Sequence, residues 1–266
     1  MSAQEMSFWD HLEELRWVFF RIIIALVVFA VGAFIFMPWF FDTIIMGPAK
    51  TDFFLWSSLC KLSQRYSFLP DFCVNNLDVD MINIELTAQF FRHLSTSGWL
   101  ALVLICPYIL FEVWRFVSPA LYEHEKKNAR WVFLFGSIMF FIGCFVGYTF
   151  IFPMALRFLY LYQLSPLIHN QVSLDSYLSI FLSLVLVMGL VFEMPLISWL
   201  LSQMGILRRS FFKTYRRHAI IVLLVVAAVI TPTTDPFNLS LVFFPLYGLY
   251  ELSIFLVKKD PVEDDY

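Results

Sequence analysis

The sequence predicts a single-domain, all-α membrane protein with six transmembrane helices. Of the 266 residues, 60% are apolar and 15% are charged, whereas soluble domains average about 25% charged residues. The mean hydropathy is +0.76, and the apolar residues form runs long enough to cross a bilayer. No basic face has the charge density that nucleic-acid binding requires, so we expect no nucleic-acid partner.

The six predicted spans are separated by polar segments of very different length. They are Trp17–Met37, Leu94–Trp114, Trp131–Phe152, Tyr177–Gln203, Ala219–Ile230 and Phe237–Val257. The fifth would be about 18 Å long as a helix, against a hydrocarbon core of about 30 Å. We therefore expect the bilayer to be thinned there, or this span to stop part-way.

Residues 1–16 are predicted to form a cytoplasmic interfacial helix that leads into the first span. Ser7 and Asp10 stand at capping-box positions, and apolar residues from Phe8 to Phe19 recur at helical spacing. The acidic residues of this segment argue against a cleaved signal peptide, which would carry a basic region. Within the span, Arg21 is expected to extend its side chain back to the headgroups.

Pro38 is expected to end the first span, and residues 38–93 are predicted to form a long outer loop. A loop of this length either has structure of its own or remains mobile. It contains Cys60 and Cys73, which can form a disulfide if the loop faces an oxidising compartment. The other two cysteines lie in apolar runs, where thiols behave as small hydrophobic groups.

The distribution of lysine and arginine predicts the orientation of the chain. With six spans, most of the 18 cationic residues fall on one face, which the positive-inside rule assigns to the cytoplasm. Both termini are therefore predicted to be cytoplasmic, with residues 258–266 as an acidic tail. The same arrangement brings Asp10–Arg16 and Phe116–Arg130 to one face of the membrane.

The stretch Phe116–Arg130 concentrates charge between the second and third spans. Two carboxylates, a histidine and three cations lie between Glu123 and Arg130, and Ser118-Pro119 is a helix-start signal. Taken alone, this composition is typical of a membrane anchor of mixed charge. Beside the acidic and apolar segment at the N-terminus, it becomes a candidate binding site.

Glu193 is an acidic residue within the fourth span, where a carboxyl group costs about 2.5–3.5 kcal/mol on insertion scales. Pro195 cannot donate a hydrogen bond to the carbonyl of Val191, so polar backbone is freed within a turn of the carboxyl. Two interpretations stay open. Glu193 is protonated and hydrogen-bonded inside its own bundle, or it offers a hydrogen bond to a polar group of a partner helix or cargo.

Two other features of the spans have ordinary interpretations. Gly143-x-x-x-Gly147 in the third span permits close helix approach, and packing inside the bundle is favoured over dimerisation. Glu251 lies near the end of the last span and is interpreted as an interfacial residue.

Enzymatic motifs are missing from the sequence. His124-Glu125 begins like a zinc-protease motif, but Asn128 stands where the second histidine is required. There is no P-loop, no nucleophile elbow and no Cys-x-x-Cys pair. We therefore expect no enzyme, no cofactor and no bound metal.

Four motifs lie in register along the chain. They are His11-Leu12-Glu13-Glu14-Leu15-Arg16, Phe116-Val-Ser-Pro-Ala-Leu-Tyr-Glu-His-Glu-Lys-Lys127, Phe192-Glu193-Met194-Pro195, and Thr231-Pro232 with Asp235. Together they resemble the TatC family, the multi-spanning subunit of the twin-arginine (Tat) protein translocase, from about Phe8 to Val257. The resemblance implies a concave, glove-like bundle of six helices, of which the last two are short.

The resemblance also implies a function. Such proteins are core receptor subunits that bind twin-arginine signal peptides at the cytoplasmic face. They nucleate the assembly of single-span partners of the TatA and TatB type, and the complex exports folded proteins using the proton motive force. It further implies a location in the cytoplasmic (inner) membrane and a homo-oligomer within the receptor complex.

Carried over residue by residue, the resemblance assigns Glu14 and Glu125 to the paired arginines of the signal peptide. A carboxylate can form a charge-assisted, bidentate pair with a guanidinium, and lysine cannot reproduce that planar fork. The residues expected to shape the site are Leu15, Arg16, Phe116 and Pro119.

The same resemblance places Glu193 toward the hollow of the bundle, where it would meet a polar group of a single-span partner, with Pro195 beside it. Asp235 belongs to the turn before the last span, which reads Thr-Pro-Thr-Thr-Asp where many relatives have Thr-Pro-Pro-Asp. The last two spans would form the edge at which partners dock.

Two other functions are considered. A proton-coupled transporter of small solutes would use Glu193 as its relay, and a membrane scaffold would have no cargo. A single buried acid, with no inverted repeat and no pair of broken helices, disfavours transport.

Overall fold

The computed structural model describes residues 8–65, 81–117, 123–165, 170–231 and 236–257, which are almost entirely helical. The helices are α1 Phe8–Phe40, α2 Phe54–Arg65, α3 Ala88–Val117, α4 Glu123–Val146, α5 Phe152–Leu161, α6 Leu174–Val191, α7 Met194–Gln203, α8 Arg209–Thr214, α9 Arg216–Ile230 and α10 Pro236–Leu256. Two short strands, β1 Met81–Ile82 and β2 Val172–Ser173, pair in parallel.

Five helical segments in the described residues are long and apolar enough to cross a membrane. They are Leu12–Arg65, Ala88–Val117, Phe133–Leu161, Leu174–Gln203 and Asn238–Leu256. The fifth predicted span corresponds to α9, which has 15 residues and is therefore about 22 Å long. With α10 at 21 residues, the last two spans are the shortest, as predicted.

The first span does not end at Pro38, as we had expected, because α1 continues to Phe40 and then into a π-helical turn, Phe41–Ile45. A proline lacks the N–H that would bond to the carbonyl four residues earlier, which here belongs to Phe34. His93 of α3 donates to that carbonyl through Nε2, at 2.9 Å, and its ring stacks on Phe34. A side chain from another helix thus replaces the bond that Pro38 cannot make.

The third span also runs further than predicted. From α4 the chain passes through a π-helical turn, Gly147–Ile151, into α5, which ends at Leu161 rather than near Phe152. Pro153 lies in the first turn of α5, directly after the π-helical turn, and the chain continues as a helix past it.

The fourth span is broken at Phe192 and Glu193. The helix α6 ends at Val191 and α7 begins at Met194, with Pro195 in its first turn. The break lies where the sequence predicted freed backbone. In the described residues, α1 and α4 are each followed by a π-helical turn, but no such turn lies between α6 and α7.

Glycines allow α4 and α6 to pack closely. A Cβ atom at Gly143 would lie 2.6 Å from the carbonyl oxygen of Met188, and one at Gly189 would lie 2.6 Å from Sγ of Cys144. A Cβ at Gly147 would contact the backbone of Val185 at 3.1 Å. The Gly143-x-x-x-Gly147 motif therefore packs inside the bundle, as predicted.

Polar side chains close both ends of the bundle. At the end where α3 begins, Arg92 forms an ion pair with Asp175 of α6. At the other end, Arg216 of α9 donates to Glu251 of α10 at 2.7 Å, and the Tyr247 hydroxyl donates to the same carboxylate at 3.0 Å. Glu251 is thus an ion-pair partner that connects two helices, rather than a simple interfacial residue.

The outer loop contains the short helix α2. Its Trp56 ring is buried, and Nε1 donates to the carbonyl of Pro48 at 3.4 Å. Cys60 in this helix is disulfide-bonded, and Cys73 lies outside the described residues. Cys106 and Cys144 are free and buried, in keeping with their apolar surroundings in the sequence.

The glycine contacts generate a test of the fold. Gly143→Ala should lower the stability of the detergent-solubilised protein by about 1–3 kcal/mol, because a methyl group would overlap the α6 backbone. Gly32→Ala is the matched control, since nothing lies within 4 Å of a Cβ at Gly32 in α1. Thermal unfolding that leaves both variants equally stable would contradict the close α4–α6 contact.

Candidate functional site

The helices α1 and α3 form an antiparallel pair that holds the N-terminal motif. Arg21 of α1 contacts Glu112 near one end of the pair, and Phe34 contacts His93 near the other. The residue numbers rise along α1 and fall along α3. The start of α1, the end of α3 and the start of α4 therefore lie at one end of the bundle, which we call the N-terminal end.

An apolar cluster extends this end across the bundle. Phe133 of α4 and Trp199 of α7 are buried together, and Val117 of α3 and Leu256 of α10 pack against them. The last turns of α3, α7 and α10 thus meet the first part of α4. The basic segment that follows α7, with α8 and the start of α9, belongs to the same end.

Glu14 is partly buried on α1. Glu14 and Arg21 are separated by seven residues, or about two turns, so they share one face of the helix. Val18 lies between them and is 4% exposed. This face of α1 is therefore the one that packs in the bundle, and Glu14 sits at its rim.

Of the other residues assigned to the signal-peptide site, some belong to the described residues of the chain and some do not. Leu15 is partly buried, and Arg16 is exposed, with its guanidinium 5.7 Å from the centre of the Trp17 ring. Phe116 is partly buried in the last turn of α3. Pro119 lies outside the described residues. Glu125 belongs to the first turn of α4, and its side chain lies outside the described part.

An ion pair within this end was missed by the sequence analysis. Nε and Nη2 of Arg21 donate to Oε2 of Glu112 at 3.0 Å and 2.7 Å. The Glu112 side chain is 2% exposed, and the Tyr108 hydroxyl also interacts with it. Arg21 therefore binds a carboxylate in the bundle instead of extending to the headgroups as predicted. The signal was present, because an acid inside a predicted span normally has a partner.

Glu193 lies at the break between α6 and α7 and is 6% exposed. Both of its carboxylate oxygens are buried and have no hydrogen-bond partner in the described part of the chain. A Cβ at Gly136 of α4 would lie 3.0 Å from Oε2, so the carboxyl group is packed against a glycine. A buried polar group without a partner costs about 1–3 kcal/mol, so we expect this carboxyl group to lower the stability of the isolated chain.

Pro195 is buried at the start of α7, next to this carboxyl group, whereas Asp235 lies outside the described residues. In the described part of the chain, no group of three or more histidine, cysteine or acidic residues is arranged to hold a metal ion.

The chain is similar to known proteins over most of its length. A family model described as Sec-independent protein translocase protein (TatC) matches residues 10–245. Proteins named Sec-independent protein translocase protein TatC are similar over nearly the whole chain. That of Blattabacterium sp. subsp. Periplaneta americana is 32% identical over 96% of each chain. That of Koribacter versatilis is 35% identical over 95% of this chain and 85% of its own.

Solved structures give the same result. A crystal structure described as twin arginine translocase receptor TatC in DDM matches with a TM-score of 0.72 and 30% identity, covering 93% of this chain and 99% of that one. A second crystal structure of such a receptor matches with a TM-score of 0.69. The family resemblance read from four short motifs is thereby confirmed, together with the all-α membrane fold.

The unpartnered carboxyl group yields a prediction. Glu193→Met should raise the free energy of unfolding by about 1–3 kcal/mol, because it replaces a buried polar group that has no partner with an apolar one of similar length. Glu251→Met is the control, and it should not be stabilising because it removes the contacts with Arg216 and Tyr247. Thermal unfolding in detergent measures both, and a destabilised Glu193→Met would mean that the carboxyl group has a stabilising contact.

Proposed function

The chain belongs to the TatC family of Sec-independent protein translocase proteins, and from this premise we propose that it is the core receptor of a twin-arginine translocase. In this role it binds twin-arginine signal peptides at the cytoplasmic face through Glu14 and Glu125. It also nucleates the assembly of single-span partners of the TatA and TatB type, in a complex that exports folded proteins using the proton motive force.

The observation that carries the proposal is the position of Glu14 relative to the start of α4. Glu14 lies at the rim of the α1 face that packs in the bundle, at the end where α3 finishes and α4 begins with the turn that contains Glu125. Two carboxylates on separate helices at one end can each receive one guanidinium. An extended dipeptide of two arginines presents its side chains to opposite sides, which suits two acceptors that are not adjacent in the chain.

The cytoplasmic location of this end is supported by charge. The basic segment with Arg208, Arg209, Lys213, Arg216 and Arg217 follows α7 at the N-terminal end. Cationic residues in short loops are retained on the cytoplasmic side. We therefore propose that both termini are cytoplasmic and that the chain lies in the inner membrane.

The partner contact is proposed at Glu193. Its two oxygens have no hydrogen-bond partner among the residues that the structure describes, and the adjacent break between α6 and α7 interrupts the helix. A polar side chain on a partner helix would supply the missing hydrogen bond in a medium without water. The close contact with Gly136 means that the carboxyl group must rotate, or the helices must separate slightly, before a partner reaches it.

A proton-coupled small-solute transporter is not favoured. The comparisons identify a component of a protein translocase, which does not favour transport of small solutes. Members of this family are translocase components rather than enzymes, and we assign no catalytic activity to the chain.

Peptide binding provides the decisive test. Glu14→Ala and Glu125→Ala should each weaken binding of an immobilised twin-arginine peptide to the detergent-solubilised protein by roughly 10- to 100-fold, because a hydrogen bond between charged groups contributes about 1.5–3 kcal/mol. The twin-lysine peptide should bind weakly to every variant. Glu13→Ala is the matched control, since Glu13 is an exposed neighbour in the same motif. Undiminished binding in the Glu14→Ala/Glu125→Ala double variant would rule out the site.

The partner contact has its own test. Glu193→Leu should abolish co-purification of a single-span partner while signal-peptide binding stays at the wild-type level, because the two sites lie on different helices. Glu193→Gln keeps hydrogen-bonding capacity and should retain part of the partner. Equal recovery of the partner with both variants would exclude hydrogen bonding by this side chain as the contact.

A further inference from the structure

The ion pair between Arg21 and Glu112 has a defined geometry. Two N–H groups of one guanidinium, Nε and Nη2, converge on a single oxygen, Oε2, at 3.0 Å and 2.7 Å. The carboxylate is 2% exposed and the guanidinium side chain 32% exposed. A shift of α1 against α3 by one helical turn would move the donors by about 5.4 Å, which is beyond hydrogen-bond reach. The pair is therefore compatible with one axial register of the two helices.

The proposed binding site has one residue on the same helix face as Arg21 and another on the same helix face as Glu112. Glu14 precedes Arg21 by about two turns on the same face of α1, and Phe116 follows Glu112 by about one turn on the same face of α3. Because the helices are antiparallel, Glu14 and Phe116 both lie between the ion pair and the N-terminal end of the bundle. After Val117 the chain leads within a few residues to the first turn of α4 and Glu125.

The pair is not required merely to hold the two helices together. His93 binds the carbonyl of Phe34 and stacks on its ring near the opposite end of the same interface. Apolar residues of similar size hold a buried interface at least as well as an ion pair does, whereas an ion pair can fix a register. The presence of an ion pair between α1 and α3 therefore suggests that the two helices must be held at a defined axial position relative to each other.

We propose that Arg21 and Glu112 are positioning residues, which set the register of α1 against α3 and thereby the spacing of the two carboxylates that receive the paired arginines. This rests on the proposed function. The pair does not touch the peptide. It determines whether Glu14 and Glu125 can each engage one guanidinium at the same time, and so how strongly arginine is preferred over lysine.

The test uses variants that leave no unpaired buried charge. Arg21→Gln/Glu112→Gln removes the ion pair and keeps two side chains that can still hydrogen-bond. It should weaken binding of the twin-arginine peptide on the order of tenfold, a typical coupling between linked sites, with little change for the twin-lysine peptide. The dissociation constant of the twin-lysine peptide divided by that of the twin-arginine peptide, which we call the ratio, should therefore become smaller, that is, narrow toward one. A general loss of structure would instead weaken both peptides together.

Two conservative variants protect the test against poor folding. Arg21→Lys keeps the charge but loses the planar fork, and it should narrow the ratio by less than the neutral pair does. The charge-swapped variant Arg21→Glu/Glu112→Arg should recover part of the ratio. As the matched control, Arg92→Gln/Asp175→Asn removes the ion pair at the opposite end of α3 and should keep the wild-type ratio. Thermal unfolding of each variant establishes that the protein tested is folded.

The outcomes separate this inference from the function on which it rests. A folded neutral variant with the wild-type preference for arginine would overturn the positioning role. The same result together with full binding by Glu14→Ala would instead show that the proposed site is wrong. A narrowed ratio in the Arg92→Gln/Asp175→Asn control would also overturn the inference, because any ion pair on α3 would then have the same effect.

Discussion

The absence of water in the bilayer core constrains this structure more than any other factor, because each polar group there needs a partner from the protein. The three prolines near helix breaks illustrate how the chain meets this requirement. Pro38 leaves a free carbonyl that His93 occupies. Pro153 lies in the first turn of α5, and the hydroxyl of Thr149 in the preceding turn is buried without a hydrogen-bond partner among the described residues. The break before Pro195 is accompanied by a buried carboxyl group, that of Glu193, and neither of its oxygens has a hydrogen-bond partner among the described residues.

Three acidic residues in or near the spans therefore have different settings. Glu112 is fully engaged by a guanidinium, and Glu251 accepts from an arginine and a tyrosine. Glu193 is almost as inaccessible as Glu112 but has no hydrogen-bond partner among the described residues. The first two connect helices, whereas the third is buried at a cost that the proposed partner contact would relieve. Composition alone does not separate these cases, since all three are glutamates in apolar runs.

Much of the fold could be predicted from the sequence, because long apolar runs indicate spans directly. The shortness of α9 followed from the length of its apolar run, the shortness of the last two helices together was implied by the family resemblance, and the freed backbone near Pro195 followed from proline chemistry. The pairings of Arg21 with Glu112 and of His93 with Phe34 could not be predicted. They join residues 91 and 59 positions apart, and no local pattern records which helix packs against which. Glu112 lies within a predicted span, and an acidic residue at such a position indicates that it has a partner but not which one.

The short helix α9 has an electrical consequence. It is about 22 Å long, and the ion pair from Arg216 to Glu251 fixes its first turn to α10. A bilayer that conforms to this helix has a hydrocarbon layer about a quarter thinner than the usual 30 Å or so. The same membrane potential then falls over a shorter distance, so the field beside α9 is about a third stronger than elsewhere. In a bilayer thinned in this way, charged groups that approach this edge of the bundle would experience a steeper electrical gradient than in the surrounding lipid.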